Sequence, residues 1–138
     1  MSPILLVIAG ASYALLGVLH GVLTLRDVVT PTSFTPTDPS VREAMQGARL
    51  AFNRRINLWD AWLGFNLSHS VGLIVFGGVL LAAGQELHPQ FAASRGFQGA
   101  VLLVAASYVG MAFRFWFWAP AMGTSFALLC IAGAILGL

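Results

Sequence analysis

The chain has 138 residues, of which 58% are hydrophobic and only 9% are charged, and its formal net charge is +2. Soluble domains carry roughly 25% charged residues, so this composition excludes an ordinary soluble domain and predicts a surface in contact with the lipid bilayer. The small net charge and the absence of a basic run give no indication of a nucleic-acid partner. The length accommodates about four spans of roughly 20 residues. We therefore expect an all-α, four-helix transmembrane bundle that forms a single domain.

The first predicted span covers residues 3–25, and small residues recur along it at spacings of three or four. They are Gly10, Ala14, Gly17 and Gly21. On a helix these positions form one narrow stripe, and such a stripe allows a second helix to approach closely. We expect this face of the first span to contact another helix.

The connection over residues 26–56 is the only long polar stretch. Pro31, Pro36 and Pro39 keep its first part extended. Ser40 and Glu43 then have the spacing of a capping box, which predicts the start of a helix at Ser40. We expect an amphipathic helix over Val41–Ile56 that enters the second span, residues 57–84, either as one long straight helix or with a bend near Gly47 or Asn57 at the cytoplasmic interface.

The third predicted span covers residues 97–118 and ends in an aromatic run that is typical of a membrane interface. The fourth covers residues 120–138 and begins at Pro120, which is tolerated in the first turn of a helix. Gly133 and Gly137 have GxxxG spacing, so they predict a contact with another helix or subunit. The single cysteine, Cys130, is interpreted as a packing residue.

Arginine is distributed unevenly between the two ends of the spans. One side carries Arg26, Arg42, Arg49, Arg54, Arg55 and Arg114, whereas the other carries Arg95 alone. Because positive charge is retained in the cytoplasm, this asymmetry predicts a cytoplasmic connection and both termini outside the cytoplasm.

Polar residues within the spans are the main indication of function. From the helix rise of about 1.5 Å per residue, we expect His20 and Asn66 to lie at one level, with His69 within reach and Tyr108 near the level of His69. Trp62 shares a helix face with Asn66 and His69. Ionisable groups inside a membrane are candidates for function, so these five residues are the predicted ligand-binding set.

A second polar contact is predicted between Asp60 and Arg114, which should lie at about one depth, or between Asp60 and another arginine. We interpret it as a structural ion pair that fixes the order of the helices. A hydrogen bond between His20 and Asn66 could likewise serve only to join two helices.

Several functions are compatible with the polar residues. The first is a site for a lipophilic or amphipathic ligand, in which the histidines donate or accept protons. The second is an accessory or structural subunit of a larger membrane assembly, and the small-residue stripes favour a homo-oligomer equally well. No cofactor is predicted, although two histidines on neighbouring helices could bind haem b. No third ligand is available for a closed zinc site, so no metal is predicted.

Two stretches resemble a signature of small uncharacterised four-span bacterial membrane proteins. One is Gly64–Ser70, which follows Trp59–Trp62, and the other is His20–Gly21 followed by Thr24–Asp27. This resemblance covers most of the chain and implies a four-span protein of a bacterial inner membrane without implying an activity.

The architecture also resembles the MAPEG family of trimeric membrane glutathione transferases and eicosanoid enzymes. Arg54, Asn57 and Asp60 are similar to the Arg, Asn and acidic residue at the start of that family's second helix, with the Arg-to-Asn spacing off by one. Tyr108 and Arg114 are similar to its third-helix Tyr and Arg. The resemblance implies a glutathione-dependent membrane enzyme, whereas the two intramembrane histidines have no equivalent in that family.

Overall fold

The computed structural model describes residues 1–138, and it confirms the predicted all-α class with the arrangement of a four-helix bundle. In chain order the elements are α1 (Pro3–Val29), α2 (Pro39–Gly47), β1 (Arg49–Leu50), β2 (Asn53–Asn57), α3 (Leu58–Gly84), α4 (His88–Ala93), α5 (Arg95–Phe115) and α6 (Trp118–Leu136). The helices α1, α3, α5 and α6 are long and apolar enough to cross a membrane. The shortest has 19 residues, which corresponds to about 28 Å at the rise of an α-helix and approaches the hydrocarbon thickness of about 30 Å.

The outward faces of these four helices are strongly apolar. Leu15 on α1 is 59% exposed, Leu103 on α5 is 69% exposed and Leu129 on α6 is 71% exposed. Soluble monomers rarely expose large contiguous apolar surfaces. The combination of length, composition and apolar exposure is that of a small polytopic membrane protein.

The connection between the first two spans differs from the prediction. The expected amphipathic helix over Val41–Ile56 ends at Gly47, and a two-stranded antiparallel hairpin follows it. Glycine disfavours the helix interior, and the backbone groups that leave the helix pair across β1 and β2. The Leu58 N–H closes the base of the hairpin by donating to the Ala48 carbonyl at 3.0 Å.

The start of α2 also differs from the expected capping box. Asp38 is the N-cap, with Pro39 at the first helical position. The Asp38 carboxylate accepts from the Ser40 hydroxyl at 2.8 Å and from the Ser40 N–H at 2.9 Å. These bonds, the side-chain bond foremost, hold the pKa of Asp38 below its ordinary value of 3.8. Asp competes well with Ser for N-cap positions, which explains why the helix begins earlier than expected.

The chain divides into two compact units, residues 17–72 and the remainder, residues 1–16 with 73–138. In the second of these, α1 and α3 approach closely at glycines. A Cβ on Gly10 would lie 2.7 Å from the Gly77 carbonyl oxygen, and one on Gly77 would lie 2.6 Å from the Ala14 nitrogen. The predicted helix contact of the first small-residue stripe is therefore confirmed at Gly10 and Ala14.

The two glycines at the end of the chain have separate roles. A Cβ on Gly133 would lie 3.2 Å from Leu5 Cδ1, so Gly133 packs against α1. Gly137 adopts the left-handed conformation, φ 84°, and its N–H bonds the Gly133 and Ala134 carbonyls as the C-cap of α6. Glycine adopts this conformation without a steric penalty. In this GxxxG pair, Gly133 therefore makes a helix contact within the chain, and Gly137 ends α6.

Candidate functional site

The unit formed by residues 17–72 contains a hydrogen bond between His20 on α1 and Asn66 on α3. His20 Nε2 lies 3.0 Å from Asn66 Oδ1, and Asn66 is fully buried. Asn66 Nδ2 donates to the Trp62 carbonyl at 2.8 Å, which fixes the amide orientation because a carbonyl oxygen can only accept. The Asn66 oxygen must then face the imidazole, so His20 Nε2 carries a proton and donates. The predicted contact between His20 and Asn66 is confirmed.

The backbone on either side of this bond is also satisfied. Thr24, fully buried, donates its hydroxyl to the His20 carbonyl at 2.9 Å, and Ser70 donates to the Asn66 carbonyl at 2.9 Å. A Cβ on Gly21 would lie 3.3 Å from Ser70 Cβ. The two helices are therefore close at this level, and their side chains have little freedom to move apart.

His69 completes the pair of imidazoles. Its ring centroid lies 5.2 Å from that of His20 in an edge-to-face arrangement with an interplanar angle of 73°. Phe65 stacks at 6.4 Å with its ring nearly parallel to that of His69, and Phe65 is 60% exposed. His69 thus lies between the buried polar contact and the outer face of α3.

The connection folds back onto these residues, which the sequence did not predict. The Phe34 ring lies 4.5 Å from the His20 ring, and the Phe34 carbonyl accepts from Trp62 Nε1 at 3.0 Å. Trp62 is therefore an anchor for the connection as well as a neighbour of Asn66. We call His20, Asn66, His69, Phe34 and Trp62 the histidine site.

Asp27 holds the connection in this conformation. Its fully buried carboxylate accepts from the N–H groups of Thr32 at 2.8 Å and Ser33 at 2.7 Å, from the Phe34 N–H, and from the hydroxyls of Thr32 and Thr35. Several N–H donors around one carboxylate are the usual way to satisfy a buried charge. Sequence reasoning missed Asp27. The available signal was an aspartate at a helix end followed within eight residues by three small polar residues, Thr32, Ser33 and Thr35.

An open pocket adjoins the histidine site. It has a volume of about 380 Å³ and is lined by Ser33, Phe34, Thr35, Pro36, Met45 and Trp62. Pockets that bind small molecules typically have about 300–1,000 Å³ and mostly apolar walls with a few polar groups. Phe34 lines the pocket and also contacts the His20 ring in a tilted arrangement with an interplanar angle of 36°, so this side chain lies against both the pocket and one imidazole.

The predicted ion-pair residues have other contacts. The Asp60 carboxylate accepts from Asn57 Nδ2 at 2.8 Å, and the Asp60 N–H donates to Asn57 Oδ1 at 2.8 Å. This reciprocal pair caps the start of α3, as a capping box does. The Arg114 guanidinium lies 5.0 Å from the centroid of the Phe115 ring. The pairing of Asp60 with Arg114 stays a prediction.

Tyr108, the fifth predicted ligand-binding residue, belongs to an aromatic cluster in the other unit. Its ring lies 5.6 Å from that of Tyr13 and 6.1 Å from that of Phe76. Tyr13 is fully buried, and its hydroxyl has no hydrogen-bond partner. Aromatic rings at these separations stabilise each other, which gives Tyr108 a packing role.

No group of three or more His, Cys, Asp or Glu side chains is placed to hold a metal ion. No family model, curated protein or solved structure matches this chain.

Proposed function

We propose that this protein binds a lipophilic or amphipathic ligand at the histidine site, in the cytoplasmic leaflet of a bacterial inner membrane with both termini outside the cytoplasm. The observation that carries the proposal is the hydrogen-bonded pair of His20 and Asn66, with His69 in ring contact, beside an open pocket of about 380 Å³. Polar groups inside membrane spans are rare, and those that occur often mark ligand or proton pathways.

The site favours a ligand with an apolar body and one hydrogen-bonding head. Trp62, Phe34 and Met45 supply apolar walls, and Ser33 and Thr35 are the polar residues of the lining, with the Thr35 hydroxyl already donating to Asp27. The imidazoles can donate or accept a proton near neutral pH. A carbonyl or hydroxyl on the ligand head is the chemistry that these groups recognise.

Phe34 controls the approach from the pocket to His20. Its ring lies against the imidazole, and its backbone is held by Asp27 and by Trp62. A ligand in the pocket would contact Phe34, and displacement of the Phe34 side chain would give it access to His20. Binding is therefore expected to change the environment of Phe34 and Trp62 first.

The test uses the full chain, purified in a mild detergent, with bound lipophilic compounds extracted and identified by mass spectrometry. We expect a stoichiometric compound with the wild type. His20→Ala and His69→Ala should lose it while the helical content and the thermal unfolding midpoint change little. Ser107→Ala is the control, because Ser107 is exposed on α5 and donates only to the carbonyl of its own helix.

Two outcomes would contradict the proposal. If the histidine variants keep the compound at the wild-type level, the imidazoles do not contact it. If both variants lose helical content, the imidazoles serve to join α1 and α3 and no ligand site is needed.

An accessory role in a larger membrane assembly is the first alternative. It is favoured by Gly64 and Ser68, which are exposed on α3, with no heavy atom within 4 Å of a Cβ built on Gly64. Small residues on a lipid-facing surface suit close helix contacts, either with a second copy of the chain or with another subunit. Copurification of a stoichiometric partner protein that is lost in Gly64→Leu would support this alternative.

A MAPEG-like, glutathione-dependent activity is the second alternative. Arg54 is exposed on β2 and could contact a soluble thiol, but Asn57 and Asp60 already have a structural role at the start of α3. Conjugation of glutathione to a lipophilic electrophile, lost in Arg54→Gln, would support it.

Haem b is disfavoured because the two imidazoles are in edge-to-face contact, which leaves no space for a porphyrin between them. A Soret band in the purified protein would overturn that argument.

A further inference from the structure

We propose that residues 48–57, the basic hairpin, form a binding surface for the headgroups of anionic phospholipids in the bilayer that the helices span. This inference does not depend on the ligand proposed for the histidine site. It rests on the charge of the hairpin, on an exposed aromatic residue at its turn, and on the position of the hairpin next to a span.

The charge of the basic hairpin is entirely positive. Arg49, Arg54 and Arg55 are all exposed, and residues 48–57 contain no aspartate or glutamate. The nearest carboxylate along the chain after the hairpin belongs to Asp60, and it is bonded to the Asn57 side chain. Arginine presents a planar set of donors that matches the oxygens of a phosphate group.

An exposed aromatic side chain lies between these cations. Phe52, in the turn that joins β1 to β2, is 87% exposed, and Ile56 on β2 is 37% exposed. Aromatic side chains are enriched at the interface between headgroups and hydrocarbon. Arginines beside an exposed phenylalanine match the lipid headgroup region, which is charged and borders the hydrocarbon, better than they match bulk water.

The position of the basic hairpin next to α3 brings it to that layer. The candidate span begins at Leu58, directly after β2. Arg55 precedes Leu58 by three residues, so its backbone lies within about 10 Å of the start of the span at the rise of a strand. The headgroup region is roughly 5–8 Å thick on each side of the hydrocarbon, and the long arginine side chain can extend along it.

The size of the effect follows from membrane electrostatics. Each arginine near an anionic surface contributes about fivefold to association, the equivalent of about 1 kcal/mol. Removing two arginines should therefore weaken binding of an anionic lipid by about 30-fold at low ionic strength. The effect should decrease in high salt, because exposed charges are screened.

The experiment titrates the full chain, in a non-ionic detergent, with dioleoylphosphatidylglycerol or with dioleoylphosphatidylcholine and counts bound lipids by native mass spectrometry. The wild type should bind the anionic lipid more tightly, and Arg54→Gln/Arg55→Gln should lose that preference. Arg54→Lys/Arg55→Lys keeps the charge and should retain most of it. Arg95→Gln should retain the preference, because Arg95, which is exposed at the start of α5 and donates to Gln98, lies outside the basic hairpin.

A second measurement tests Phe52. In a Cys130→Ala background, a nitroxide placed at Phe52→Cys in bilayers containing phosphatidylglycerol should be more accessible to oxygen than to a water-soluble nickel complex, unlike a label at the exposed position Gln46. Equal binding of the two lipids, an unchanged preference in Arg54→Gln/Arg55→Gln, or a water-accessible label at position 52 would each overturn the proposal. If the basic hairpin binds an acidic protein and not lipid, the anionic and the zwitterionic lipid should bind equally.

Discussion

Replacement of Asp27 by asparagine should release the connection from the histidine site. The variant keeps the shape of the side chain but converts one carboxylate oxygen to an NH₂ group. The best orientation leaves the amide oxygen at the position of Oδ1, where it still accepts from Thr32 and Ser33. The NH₂ group then faces the Phe34 N–H, which is itself a donor.

The expected change in free energy combines two effects. An N–H group left without an acceptor costs about 1–3 kcal/mol, and each charge-assisted bond that becomes neutral loses about 1 kcal/mol. Because Thr32 and Ser33 are exposed, water will replace part of what is lost. We expect a total of about 2–4 kcal/mol for local opening of the connection.

Amide hydrogen exchange measures this opening directly. A loss of about 2–4 kcal/mol should accelerate exchange of the Thr32, Ser33 and Phe34 amides by a factor between about 30 and several hundred. Asp38→Asn is the control, since Asp38 is an exposed N-cap whose carboxylate bonds only to Ser40. Unchanged exchange at Phe34 in Asp27→Asn would refute the claim that Asp27 positions the connection.

Two further predictions concern other parts of the chain. Gly77→Ala should destabilise the fold by about 1–3 kcal/mol or more, because its Cβ would lie 2.6 Å from the Ala14 nitrogen. Gly78→Ala is the control and should not destabilise the fold, because no heavy atom lies within 4 Å of a Cβ built there. Reversible unfolding in mixed micelles measures the difference between the two variants. The N-terminus of α2 should fray in acid. The bonds from Ser40 lower the pKa of the Asp38 carboxyl from 3.8. The ionised carboxylate therefore stabilises the start of α2 above pH 3.8, and this stabilisation is lost as the pH falls through the lowered pKa. Asp38→Asn should remove that pH dependence of amide exchange at Ser40.

The contact between α1 and α3 was predictable because helices have a fixed rise. His20 lies a known number of residues from the end of the first span, and Asn66 a known number from the start of the second. These counts place the two side chains at one level, and in the structure His20 Nε2 lies 3.0 Å from Asn66 Oδ1. The small-residue stripe was predictable for the same reason, since Gly10 and Ala14 recur at helical spacing and contact Gly77.

The connection could not be predicted in this way. Its path depends on side-chain to backbone hydrogen bonds, which leave no periodic pattern in the sequence. Asp27 accepts from residues five to eight positions later, and the result is that Phe34 lies on His20. The hairpin was missed for a related reason: β2 reads Asn-Arg-Arg-Ile-Asn and has no alternation of apolar and polar residues that would indicate a strand.

The Asp27 and Trp62 contacts should act on the connection as a single unit, and a double-mutant cycle tests this. Trp62→Phe keeps an aromatic ring at this position but removes the Nε1 bond to the Phe34 carbonyl and part of the packing area of the indole, which together should cost about 1 kcal/mol or more in the wild type.

In the Asp27→Asn background the connection is already released, so the second substitution should cost much less, and the interaction free energy should approach about 1 kcal/mol. Exchange at the Phe34 amide provides the readout for all four proteins. If the two substitutions add independently, Phe34 is held at two unrelated points, and the cooperative closure of the connection over His20 is refuted.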